Sequence, residues 1–83
     1  MTEAEKWAAC DSAKQSLHII ASHLSACIYA EKKQEAADQK QIDEWIKERR
    51  AMILLARSLT VDDMATIGRV QEKYERKAIE LSK

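Results

Sequence analysis

Residues 42–59 read IDEWIKERRAMILLARSL, and that stretch decides the fold. Its first half is amphipathic, with Ile42, Trp45, Ile46 and Arg49 on one stripe at helical spacing. Its second half, Met52-Ile53-Leu54-Leu55-Ala56, is apolar on every side. A helix that is apolar all round needs cover on more than one face. The stretch therefore reads as the middle element, with a helix packed on each side. A charge placed at Leu54 or Leu55 is then expected to prevent folding.

The rest of the chain fits a helical protein. It has no proline and one glycine, Gly68, so hairpins have almost no turn chemistry to use. All-α is the fold class, as a helical hairpin or three-helix bundle with a long first helix. Its 83 residues make one domain, 1–83, near the low end for a self-sufficient core. Helices are expected at about 3–36, 39–58 and 61–81. Thr2 and Glu5 form a capping box for the first. Its apolar stripe is Trp7, Cys10, Leu17, Ile20, Leu24, Cys27 and Ile28, set among Ala8, Ala9, Ala13, Ala21, Ser22, Ser25 and Ala26. Side chains that small permit close approach of a neighbour.

Counted as heptads from Trp7, the phase is kept across the polar run EKKQEAADQKQ of residues 31–41. A continuous seam would, however, bury Glu31, Glu35 and Asp38 in successive core positions. A break near Ala37-Asp38, with Asp38 capping the second helix, avoids that cost. In SLTVDDM, residues 58–64, Thr60 is placed to cap the third helix, with Leu59 and Met64 as a hydrophobic staple. The first helix would be roughly 50 Å long and the others about 30 Å each. Some 20 Å of it would then lack cover, which makes a homodimer, a larger helical bundle, the expected state.

Composition narrows the function. Charge is balanced, with 14 Lys+Arg against 14 Asp+Glu, so the bulk chain offers phosphates no positive field. MTEAEKW at the start has no apolar run, and a signal peptide is not expected. No apolar run is long enough for a membrane span. Cys10 and Cys27 lie ~25 Å apart on one helix, too far to bridge, and free thiols point to a cytoplasmic setting. His23 and Cys27 are four apart on one face, but two ligands without a third or fourth make no zinc site, and His18 lies about 140° round the helix. No base and orienting group accompany either cysteine, and no glycine-rich turn supplies an oxyanion hole or phosphate cradle. Neither an enzyme, a cofactor, a metal nor a small-molecule substrate is expected.

MATIGRV, Met64 to Val70, resembles the start of the recognition helix in lactose-repressor-type regulators. The resemblance covers those residues only. The turn before them has no glycine, and Asp62 and Asp63 stand where phosphates would approach. It implies an alternative function, a DNA-binding transcriptional regulator using a basic face of Arg69, Lys73, Arg76 and Lys77. Solvated ion pairs are the plainer reading of those cations, since acids lie within four positions of each. The leading expectation is a small non-catalytic adaptor, inhibitor or regulator that binds a protein partner through a helical face. Trp7, Cys10, Leu17, Leu24 and Ile28 are the expected contact residues. Small helical proteins of this kind are common among phage and plasmid accessory proteins.

Overall fold

A computed structural model, described for residues 2–82, contains three helices: α1 (Glu3–Lys32), α2 (Gln39–Ser58) and α3 (Met64–Leu81). Two caps are where local chemistry puts them. Thr2 accepts a hydrogen bond from the Glu5 N–H at 3.2 Å, and Glu3 and Glu5 oppose the positive end of the α1 dipole. Asp38 accepts from the Gln41 N–H at 3.1 Å and so starts α2. The loop between is held by Glu31, whose carboxylate accepts from the Asp38 N–H at 3.0 Å. That carboxylate ties the joint instead of entering a core seam.

The two remaining helix ends differ from expectation. α1 stops at Lys32 rather than 36, where the Lys33 N–H bonds back to the Ala30 carbonyl and the Gln34 N–H to that of Glu31. Residues 33–38 are all exposed, so a further helical turn would gain no burial. α3 starts at Met64 rather than 61, and its cap is Asp63, not Thr60. Asp63 accepts from the Thr66 N–H at 3.2 Å, while the Thr60 carbonyl accepts from the Asp63 N–H in the preceding turn. A carboxylate is the stronger acceptor at a helix N-terminus.

The larger correction concerns the middle element. It is α1. Both α2 and α3 approach α1 closely along its length, and their backbones do not approach each other. Eight residues of α1 are buried, against three each from α2 and α3, which marks α1 as the shared support. At about 100° per residue, Cys10, Ala13, Ser16, Leu17, Ile20, Ala21, Leu24 and Ile28 cover an arc of roughly 140°. One edge of that arc takes α2 and the other α3. Size explains the choice. Cys10, Ala13, Ser16 and Ala21 on α1 let two backbones come near, whereas Met52, Leu59, Ile67 and Val70 keep α2 and α3 apart. The result is thin, with Cα extents of 53 × 25 × 15 Å.

Ala13 and Ala21 of the small-residue stripe thus seat the chain's own helices, while Ala8, Ser22 and Ala26 stay exposed. The stripe was one of two reasons for expecting a second protomer, and it is occupied only in part. The other reason, the excess length of α1, persists: α3 ends at Leu81, beside Ile19, Ser22 and His23, and leaves the last third of α1 uncovered on that side.

A candidate protein-binding face on α2

α2 carries two apolar faces. Ile42, Met52 and Ala56 are buried, with Leu59 just beyond the helix, and Trp45, Ile53 and Leu55 are half-buried, all but Ile42 belonging to the main core or packing on it. The second face is bare. Ile46, Arg49, Arg50, Ile53, Leu54 and Arg57 line an open groove of about 320 Å³. Their spacing, i, i+3, i+4, i+7, i+8, i+11, is one continuous stripe of an α-helix. Leu54 is 53% exposed and Ile46 36%. The apolar-all-round segment does demand cover on two sides, and this fold provides it on one. The expectation that a charge at Leu54 blocks folding is corrected accordingly.

Three guanidinium groups frame the groove. Arg49 donates to the Ser25 hydroxyl of α1 at 3.1 Å, and that hydroxyl donates to the Ala21 carbonyl at 3.1 Å, which fixes one wall. Arg50 and Arg57 make no ion pair or side-chain hydrogen bond among the described residues. No acid occurs between Arg49 and Asp62, so the carboxylates of α2 all lie in its first half. Arg57 has no acid within four positions, and Glu48, the nearest to Arg50, pairs elsewhere. Among the described residues one ion pair forms, Lys77 to Glu48 at 3.9 Å, and it joins α3 to α2.

Of the five contact residues expected on α1, only Trp7 is at the surface, at 53% exposure. Cys10, Leu17, Leu24 and Ile28 are buried by the chain itself. Three residues from Cys10, Trp7 is turned about 60° away from it and falls outside the buried arc. A strict heptad count places it in the seam, but a straight helix drifts about 20° per heptad, enough to carry a terminal residue out.

Arg69, Lys73, Arg76 and Lys77 of the alternative basic face are all exposed and share one side of α3, and three of them have neighbours that engage them. Arg69 donates to the Thr66 hydroxyl at 3.5 Å, Lys73 lies 5.2 Å from the Tyr74 ring centre, and Lys77 pairs with Glu48. Arg69 and Lys73 line a smaller depression of about 240 Å³ with Leu55, Thr66, Val70 and Tyr74. Asp63 lies close by. The Thr66 hydroxyl and N–H that bond it hold its carboxyl below the usual 3.8, Arg69 adds to this, and slight desolvation opposes it.

A third depression, about 410 Å³ and wide open, lies between α1 and the end of α3, lined by Gln15, His18, Ile19, Ser22, His23 and Leu81. No three potential metal ligands converge among the described residues. No described helix is long and apolar enough to cross a membrane. Comparison with family models, curated proteins and solved structures finds no match to this chain.

The α2 groove was missed by sequence reading, although its signal was present. Arginines at 49, 50 and 57, without acids, interleave apolar residues at helical spacing. Which of two apolar faces the fold would leave open was not readable from the pattern.

Proposed function

We propose that this chain is a non-catalytic protein-binding module, an adaptor, inhibitor or regulator that offers the outer face of α2 to a helix of its partner. The carrying observation is the second apolar face, exposed at Ile46 and Leu54 and half-buried at Ile53, framed by Arg49, Arg50 and Arg57. Leaving a branched aliphatic side chain half in water forgoes burial energy that a partner can recover, and it does so on a rigid support. Helix-in-groove binding uses anchors at this spacing, and the arginines favour a partner whose apolar stripe is flanked by carboxylates. Trp7 is a second, separate anchor at the α1 end. A reducing, cytoplasmic setting fits the two free thiols.

The test compares proteins retained from host lysate by the wild-type chain with those retained by Leu54→Asp and Trp7→Ala, each checked for unchanged helicity. A partner kept by wild type and by Trp7→Ala but lost by Leu54→Asp supports the α2 face. Loss on Trp7→Ala alone moves the site to the α1 end. For the alternative, a DNA-binding regulator, affinity should fall steeply with salt on a phosphate matrix, whereas binding anchored by apolar side chains should not.

A further inference from the structure

His23 and Cys27 lie on the part of α1 that α3 leaves uncovered. At about 100° per residue they share a side of the helix with Ser16 and Ile20, both buried. Past Leu81 there is no α3 to cover that side, so His23 is exposed and Cys27 only half-buried. Their reacting atoms are already together: Cys27 Sγ lies 3.5 Å from His23 Nε2.

That separation has a second meaning besides a weak thiol–imidazole hydrogen bond. With Zn–S of about 2.3 Å and Zn–N of about 2.05 Å, the S···N edge of a regular tetrahedron is about 3.5 Å. The separation of the pair matches two corners of a zinc tetrahedron. Two corners do not make a site, and among the described residues no third ligand is at hand. Beside the pair, however, α1 exposes the small side chains of Ser22, Ala26 and Ala30, and the half-buried Glu31 one turn on is turned to the Asp38 N–H. A second helix can approach closely over side chains of that size, and a two-fold axis there would bring up an identical pair.

We propose that His23 and Cys27 are half of a tetrahedral His2Cys2 zinc site, completed by the same pair from a second copy of this chain. The complex balances without a co-reactant. Each thiol gives its proton to solvent, so one Zn²⁺ displaces two protons and the two thiolates cancel its charge. Each imidazole binds neutral through Nε2. The site stands apart from the α2 face, and either can exist without the other.

The experiment titrates the full chain, kept reduced with a phosphine, with Zn²⁺ and then Co²⁺, and follows mass by light scattering and the cobalt complex by absorption. The expected result is a rise from 9.5 kDa to twice that value, complete at one zinc ion per two chains. Cobalt should give a thiolate-to-metal charge-transfer band and the intense visible absorption of tetrahedral coordination. His23→Ala and Cys27→Ser, at positions outside the core, should keep the helical signal and lose both responses. His18→Ala, on another side of α1, should keep them. No mass change with zinc, saturation at one ion per single chain, or an unchanged response in either ligand variant overturns the proposal.

Discussion

Met52 and Leu54 are two residues apart on one helix and have opposite fates. Met52 is 6% exposed and belongs to the core, while Leu54 is 53% exposed and belongs to the groove on the far side of α2. Hydropathy does not separate them, and neither does local structure. Only the side on which α1 lies separates them. The difference teaches that an all-round apolar helix in a thin bundle is half support and half display: one face holds the fold, and the other is available to something else.

That contrast can be broken at its strongest point first. Leu17, fully buried on α1, should cost ~2–5 kcal/mol when cut to alanine, which in a domain this small removes most of the stability. A urea midpoint that hardly moves would mean that α1 is not the support. The role of small residues is tested by enlarging one. Ala13→Leu should cost ~1–3 kcal/mol by forcing a helix away from α1, while Ala51→Leu, on the exposed side of α2, should be near neutral. Equal effects in the two melting curves would remove the close-packing argument.

The display side should behave differently. Leu54→Asp is expected to shift stability by no more than ~0.5 kcal/mol, read as Tm by circular dichroism, because the added charge stays in water. Failure to fold would restore the buried reading of the whole MILLA segment. The smallest effect concerns the second joint. Thr60→Ala should be neutral within ~0.5 kcal/mol, whereas Asp63→Ala should destabilise measurably, since Asp63 is the cap. The reverse order would reinstate Thr60.

Asp63 also gives that joint a pH signature. Its folded value lies below its ordinary 3.8, so its contribution is complete above 3.8 and is lost as pH falls through the folded value. The Tm gap between the wild-type chain and Asp63→Asn should therefore narrow on acidification below 3.8. A gap that is constant with pH would show that the carboxylate charge contributes nothing there.

Three helices, their approximate spans, and the caps at Thr2 and Asp38 were determined by the sequence alone. Each depends on interactions that reach three or four residues, such as Thr2 with Glu5 and Asp38 with Gln41. The same reach explains the miss at the second joint. Thr60 and Asp63 are both sound caps within a single turn, and the choice between them depends on where buried Leu59 must sit. What only the tertiary structure decided is the helix in the middle and the apolar surface that stays open. Periodicity counts apolar residues without weighing their volume, so the apolar MILLA segment made α2 look central. Packing rewards close approach, and alanine, serine and cysteine on α1 permit it on two sides at once. For the same reason Cys10, Leu17, Leu24 and Ile28 ended inside the fold, and Leu54 and Ile46 outside it.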